Sequence, residues 1–340
     1  MTDPSVTPVA VGLIGAGGIG TFHGHSLARR VPTTRLVAIA DPAPGAAEGL
    51  AAAVGCDVTY DDATDLIADD RVEAVLIATP ARVHADLVVA AADAGKAVFC
   101  EKPMAVTLDE ADRAMRDAAD IVLQVGFQRR FDRSIRAAHD MVVAGRIGRP
   151  QLLRSLTRDP GIPDPGSVRP STIFLETLIH DFDVLRYLNP GSRAVDVHAV
   201  AGALAYPEYA DRGLQDTAVV TVRFDNGAIA TAEASFNAVY GYDVRSEAFG
   251  SQGMVTAGNL RSSTATYVGA DGVVAQTWQH HTDLFHDAYV AELEAFATCV
   301  RSGSAPEVTG DDAAAALAIA LAAIRSADDG RPVRIDEVTG

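Results

Sequence analysis

Three observations predict an α/β chain with an N-terminal Rossmann doubly wound parallel sheet and a C-terminal α+β domain built on a large, mainly antiparallel open sheet. Short apolar runs alternate with amphipathic stretches, a glycine-rich turn follows the first of those runs, and longer runs of period two take over further along. With 340 residues, 48% of them hydrophobic, the chain can bury two cores. The change of texture divides it into residues 1–126 and residues 127–340.

In the first domain the apolar runs 9–15, 36–41, 72–79, 97–101 and 121–126 read as buried strands. Between them, stretches such as 81–95 carry apolar residues at helical spacing, and Gly95 supplies a stop signal. Beyond residue 126, a helical stretch at 131–144 leads to an apolar strand at 151–156 and then to a Pro/Gly-rich loop at 159–170. A loop of that length suits a lid or a binding segment better than a plain connection. A helix is expected over 172–188, followed by alternating runs at 194–204, 216–224 and 228–238 that predict antiparallel strands. Asp225-Asn226-Gly227 marks a hairpin between the last two, because Asn and Gly tolerate the positive φ of tight turns. Helices at 285–300 and 311–325 close the chain, the second of them alanine-rich and suited to tight packing.

A formal charge of −17 argues against a nucleic-acid partner, since a phosphate backbone needs a basic surface. Cys56, Cys100 and Cys299 are too few and too scattered for a disulfide framework or a zinc site, so they are expected to be packing residues in a reducing cytoplasm, and no metal is expected. The first eight residues show no basic segment followed by an apolar one, and no run approaches ~18 uninterrupted apolar residues, so neither secretion nor a membrane span is expected.

Gly15-Ala16-Gly17-Gly18-Ile19-Gly20 matches G-x-G-x-x-G between a strand and a helix, which is the context that motif needs. Gly15 permits the sharp turn, Gly17 lets backbone approach a pyrophosphate, and Gly20 allows close helix–strand contact. The helix start then offers unpaired N–H groups and partial positive charge to phosphates. Asp41 ends the next strand, where a carboxylate accepts hydrogen bonds from ribose hydroxyls and repels a 2′-phosphate, so NAD is expected rather than NADP. Thr79 and Pro80 end another strand on the nicotinamide side. The expected cofactor contacts are Gly15, Gly17, Gly18, Ile19, Gly20, Asp41, Thr79, Pro80, His84, Glu101 and Lys102, with packing or capping as the plainer role for His84.

Lys102, in Phe99-Cys100-Glu101-Lys102-Pro103, is answered downstream by Glu176 and His180. Four residues apart on a helix, that carboxylate and imidazole share a face. The carboxylate can fix the imidazole tautomer, His180 can take a proton near neutral pH, and Lys102 can supply positive charge to a developing alkoxide. Taken together downstream of a dinucleotide fingerprint, these residues predict an NAD-dependent dehydrogenase of an alcohol, with Lys102, His180 and Glu176 as its catalytic residues.

The same residues, with Gln124-Val125-Gly126-Phe127-Gln128-Arg129-Arg130-Phe131-Asp132, Ile179-His180-Asp181-Phe182-Asp183, Tyr240-Gly241-Tyr242-Asp243, Trp278-Gln279 and Phe285-His286-Asp287-Ala288-Tyr289, resemble the Gfo/Idh/MocA oxidoreductases, over nearly the whole length. Within that family the Arg129-Arg130 and Tyr240-Gly241-Tyr242 segments look most like the inositol 2-dehydrogenases. The resemblance implies that Lys102 contacts the reacting hydroxyl, that His180 exchanges its proton, and that Arg129, Asp159, Glu176, His180 and Tyr242 meet the substrate, with packing or a salt bridge as the alternative role for Arg129 and Tyr242. Asp183 is assigned to structural support, and Trp278 and His286 to the border of the pocket. It also implies a homo-oligomer, a tetramer or dimer.

This chain departs from the inositol dehydrogenases at Glu176, where they carry aspartate, and at Thr157-Arg158-Asp159-Pro160, where they carry His and Asn. The expected reaction is oxidation of an inositol to an inosose. A pyranose sugar or an aminocyclitol is the alternative substrate, and an NAD-dependent glycosidase or a non-catalytic NAD-binding sensor is the alternative function on the same fold.

Overall fold

The computed structural model describes residues 7–161, 166, 168–258, 260–270 and 272–339. The first six residues therefore lie outside the description, as do residues 162–165 and 167 of the loop expected at 159–170.

In chain order the first elements are β1 (Val9–Ile14), α1 (Gly18–Arg29), β2 (Thr34–Ala40), α2 (Ala46–Val54), β3 (Thr59–Tyr60), α3 (Ala63–Ile67), β4 (Ala74–Ile77), α4 (His84–Asp93), β5 (Ala97–Glu101), α5 (Leu108–Asp117) and β6 (Leu123–Gly126). Next come α6 (Arg133–Val143), β7 (Pro150–Arg158), a π-helical turn (Ile173–Leu178), α7 (Ile179–Tyr187), β8 (Ala194–Gly202), β9 (Thr217–Phe224), β10 (Ile229–Ser235), β11 (Asp243–Gly250), β12 (Met254–Ala257), β13 (Arg261–Gly269) and β14 (Gly272–Thr277). The last are α8 (His281–Leu284), α9 (His286–Ser302), α10 (Gly310–Asp329), β15 (Val333–Arg334) and α11 (Asp336–Thr339).

Two compact units result: Met1–Gln128 with Asp287–Ala314, and Arg129–His286 with Ala315–Gly340. A cut at 126/127 alone leaves 287–314 with the second domain, whereas by its contacts that segment joins the first. The reason lies on one face of α9, where Tyr289, Glu292, Leu293, Phe296 and Ala297 recur at three- and four-residue spacing and are buried. Leu293, Phe296 and Ala297 pack into the same core as Val11, Leu13, Leu76 and Phe99.

In the first unit β1 to β6 form one parallel sheet in the order β3-β2-β1-β4-β5-β6. Strands β1, β4, β5 and the edge strand β6 are buried along their whole length, which is why they read as apolar runs. Strand order reverses between β1 and β4, so the carboxyl ends of β1 and β4 mark the switch point where ligands bind in such sheets. α5 starts with a capping box, Thr107 and Glu110 each reaching the other's backbone N–H.

The second unit holds a seven-stranded sheet in the order β12-β11-β7-β10-β9-β8-β15, in which only the β7–β10 pair is parallel. The β9–β10 hairpin forms at the expected turn: Gly227 has φ 86°, and the Asn226 side chain accepts from Ala228 N–H. One face of the sheet packs on α7 and the π turn through Val197, Val220, Val222, Phe224, Ala230 and Ala232. The other face leaves Leu152, Val200, Val219, Ile229 and Phe249 exposed. Strands β11 to β14 fall where no strand is expected from the sequence. β13 and β14 are exposed along most of their length, so they lack the burial that imposes a hydrophobic period.

Phe296→Ala removes a ring that is 2% exposed and stacked edge-on to Phe99. It should lower the stability of the first unit by about 3–5 kcal/mol, seen as an earlier denaturation transition.

Candidate active site

The glycine-rich turn is built by close backbone approach. Gly15 has φ +100°, and a Cβ there would stand 2.6 Å from the Ala78 carbonyl oxygen; a Cβ on Gly20 would collide with the Gly15 carbonyl. Gly17 and Gly18 differ, since a Cβ on either meets nothing within 4 Å. α1 has Gly17 at its N-cap, no capping side chain and no acid in its first turn. Its first N–H groups thus face open space beside the switch point, which fits an anionic ligand.

Asp41 closes this turn. Its Oδ2 accepts from Ala16 N–H at 2.7 Å and its Oδ1 from Ala43 N–H at 2.8 Å. Each carboxylate oxygen keeps a further lone pair, so the group can still receive hydroxyls. At the end of β4, the buried Thr79 hydroxyl has no hydrogen-bond partner in the protein, and Pro80 is exposed. His84 is spent locally: Nε2 lies 2.7 Å from the Thr79 carbonyl and Nδ1 2.8 Å from the Pro103 carbonyl. With both nitrogens engaged, the ring braces the two chain segments on which Thr79 and Lys102 sit. What it offers a cofactor is therefore indirect.

Lys102 is half-buried at the end of β5, before a cis peptide to Pro103, and its N–H donates to Glu101 Oε2 at 3.2 Å. Glu101 itself is 6% exposed, and its Oε1 lies 2.7 Å from His23 Nε2. These residues, from Gly15 to Lys102, all belong to the first unit.

In the second unit the helix expected over 172–188 starts differently. Ser171, at φ 66°, is the non-glycine residue with positive φ among those described, and a π turn follows it before α7 begins. Glu176 lies exposed in the π turn and His180, 8% exposed, in α7. A π turn seldom forms without a functional or packing reason.

Two buried ion pairs fasten α7. Arg129 donates to Asp181 at 3.0 Å and to the Thr157 hydroxyl at 2.7 Å, and the Ser155 hydroxyl also donates to Asp181. Arg130 grips Asp183 through Nε at 2.9 Å and through a terminal nitrogen, so Asp183 has the structural part expected of it. Arg129 is only 2% exposed and rests over the Phe285 ring. The structure presents it as an ion-pair residue, with almost no surface for a substrate. Burial pushes the Asp181 carboxyl above its usual range, against the pull of Arg129 and the two hydroxyls.

Asp159 and Tyr242, both expected to touch substrate, are brought together. Burial holds the Tyr242 phenol well above its ordinary range and the neighbouring Asp159 carboxylate adds to it. They line a cavity of about 720 Å³ with Pro160, Gly161, Tyr206, Gln279, His280 and His281. The His280-His281 pair is missed by sequence reasoning, although it directly follows Trp278-Gln279. Trp278 serves through its backbone, its carbonyl accepting from Tyr242 N–H.

The family model described as "Oxidoreductase family, NAD-binding Rossmann fold" matches residues 9–127, and the GFO/IDH/MocA C-terminal domain matches residues 135–256. Myo-inositol 2-dehydrogenase of Thermotoga maritima is 38% identical over 97% of this chain and 99% of its own. scyllo-Inositol 2-dehydrogenase (NAD(+)) of Bacillus subtilis is 36% identical over 96% of each. Among solved structures, scyllo-inositol dehydrogenase from Lactobacillus casei with bound NAD(H) and scyllo-inositol superposes with a TM-score of 0.93 at 26% identity, covering 97% of this chain and 100% of that one.

If Asp41 meets the ribose as expected from the sequence, Asp41→Ala should weaken NAD binding about tenfold or more and narrow the margin over NADP, because a charged hydrogen-bond acceptor is lost. Fluorescence titration with both dinucleotides reads this directly.

Proposed function

The chain belongs to the GFO/IDH/MocA oxidoreductase family, and from that membership we propose that it is an NAD-dependent dehydrogenase that oxidises a secondary hydroxyl of a cyclic polyol, an inositol before others, to the inosose. The observation that carries the reading is the open, uncapped start of α1 behind Gly17 and Gly18, with Asp41 at its side, in a chain related along its whole length to inositol dehydrogenases.

The phosphates of NAD are assigned to the α1 N-terminus, its ribose to Asp41, and its nicotinamide end to the Thr79 side. When bound, NAD supplies the acceptor for a hydride from the carbinol carbon. The chain's own part is proton handling and charge: His180, oriented by Glu176, takes the hydroxyl proton as general base. Lys102 holds positive charge against the oxygen as its negative charge grows. Asp159 and Tyr242 hold the remaining hydroxyls, and Gln279, His280 and His281 border the same cavity. The carboxylate in that cavity also suits an amine, which keeps an aminocyclitol as the second substrate class.

We further propose a homo-oligomer, dimer or tetramer, joined through the sheet of the second unit. Support comes from its uncovered face, where Leu152, Val200 and Phe249 are 53%, 66% and 41% exposed. The three free cysteines are buried and no helix of the described residues is long and apolar enough to cross a membrane. A cytoplasmic location is the reading we attach to this.

NADH formation across a panel of inositols, inosamines and pyranoses tests the activity. Lys102→Ala and His180→Ala should each cut kcat/KM on the best substrate by about 10²-fold or more; full rate in either variant removes that residue from the chemistry. Light scattering should give a multiple of the chain mass, and Val200→Glu with Phe249→Glu should lower it.

A further inference from the structure

The first unit contains a second cluster of ionisable groups, and it takes in Glu101, which was expected to meet the cofactor but lies buried against His23. His23 on α1, Glu101 at the end of β5 and Glu292 on α9 point their side chains at one another, with one ligand-type atom from each lying within 4.8 Å of the others. They are 0%, 6% and 0% exposed. Phe22, Phe99 and Tyr289 wall the His23 ring edge-on, at 6.0, 5.8 and 5.7 Å between centroids. Gln124 donates to the backbone carbonyl of Glu292 at 2.9 Å and so ties α9 to β6. A Cβ on Gly126 would stand 3.3 Å from the Glu101 carboxyl, so the absent side chain leaves room for it.

The two carboxyls are treated differently. Glu101 accepts from His23 and from Lys102 N–H, whereas neither oxygen of Glu292 has a hydrogen-bond partner. Two carboxylates so close and so deeply buried cannot both be ionised at modest cost. Burial opposes ionisation of Glu101, but His23 and Lys102 outweigh it, and its carboxyl lies below the usual range. Burial, with the charge of Glu101 added, pushes Glu292 well above that range. One carboxylate and one carboxylic acid follow. The Cys100 thiol, also buried and pushed up, adds no charge.

A metal ion is the other use of such a trio. Two ligands of one tetrahedral ion, each about 2.0–2.1 Å from it, stand roughly 3.3 Å apart. The 2.7 Å between His23 Nε2 and Glu101 Oε1 is instead the length of a charge-assisted hydrogen bond.

We propose that His23, Glu101 and Glu292 form a buried proton-holding trio that keeps a single negative charge behind Lys102, making Glu101 and Glu292 positioning residues for the lysine's part in the reaction. Glu101 immediately precedes Lys102 and holds its N–H, so it orients the lysine's backbone and supports its ammonium. Glu292 stays neutral, because a second anion would blunt the positive charge that Lys102 brings to the oxygen. This inference rests on the dehydrogenase reading above.

The test compares wild type, Glu101→Gln and Glu292→Gln as NAD-loaded enzyme, recording kcat/KM from about pH 6 to about pH 10 and melting temperature over the same span extended down to about pH 5. Glu101→Gln should lower kcat/KM about tenfold or more and move the alkaline limb of the profile to lower pH, with NAD affinity changed less than about threefold. Glu101→Asp, which keeps the charge, should recover the wild-type shape. Protonated Glu292 contributes stability that is fully present below the ordinary carboxylate range and is lost as pH rises through its raised value. Glutamine cannot lose that proton. Glu292→Gln should therefore melt with wild type near pH 5 and about 3 °C or more above it near pH 9.

A Glu101→Gln profile that is merely lower, with an unmoved limb, overturns the positioning role. A divalent ion co-purifying with wild type at about one equivalent and absent from Glu292→Gln, together with melting below wild type at every pH, makes the trio a metal site instead. If wild type turns over no polyol, the dehydrogenase reading fails, and the melting comparison still decides the protonation of the trio.

Discussion

Close contact between α1 and the ends of β1 and β4 is the constraint on which the first unit's chemistry depends. Only glycine at 15 and 20 lets the helix start this near the strands, where a single methyl group would strike a backbone carbonyl. The same proximity has two consequences. It aims the helix N-terminus outward past Gly17 and Gly18, and one turn beyond Gly20 it carries His23 inward to within 2.7 Å of Glu101. Anion-binding end and buried imidazole–carboxylate hydrogen bond are thus products of one packing decision. Asp41 and His84 extend it, each tying the carboxyl end of one strand to a neighbouring loop by side-chain to backbone bonds.

The second unit holds its helix by a different means. Arg129 and Arg130 are adjacent in sequence, and their partners Asp181 and Asp183 are two apart on α7, a spacing that puts them on different sides of the helix. The pairs therefore grip α7 from two directions. Buried ion pairs of this kind add little net stability, but breaking one strands a charge, so they restrict the helix to one arrangement. His180 sits in that clamped segment, directly after a π turn. The general-base role proposed for His180 calls for such restraint, because a small error in position costs rate steeply.

Much of this was legible in the amino-acid sequence. The strands of the parallel sheet are continuous apolar runs because both their faces are covered, and the hairpin at Asn226-Gly227 follows from local backbone preference. The glycine fingerprint and Asp41 were readable for the same reason: each motif spans one strand–turn–helix unit. β13 and β14 escaped because exposed strands carry no hydrophobic period. The π turn escaped because one extra residue in a helical turn leaves the apolar pattern nearly intact. Glu292 did leave a trace, as a carboxylate between Tyr289 and Phe296 on the apolar face of α9, yet its purpose could not be read without its partners.

By itself, then, the sequence determined the two architectures, the dinucleotide-binding turn and the residue types available for proton transfer, all through patterns that repeat or close within a few dozen residues. Only the tertiary structure decided that 287–314 returns to the first unit, that Arg129 is an ion-pair residue, and that Glu101 answers to His23, 78 positions away. The physical reason is that periodicity and turn preference are local properties of the backbone. The state of a buried charge is set by whichever groups packing brings beside it, however distant they are along the chain.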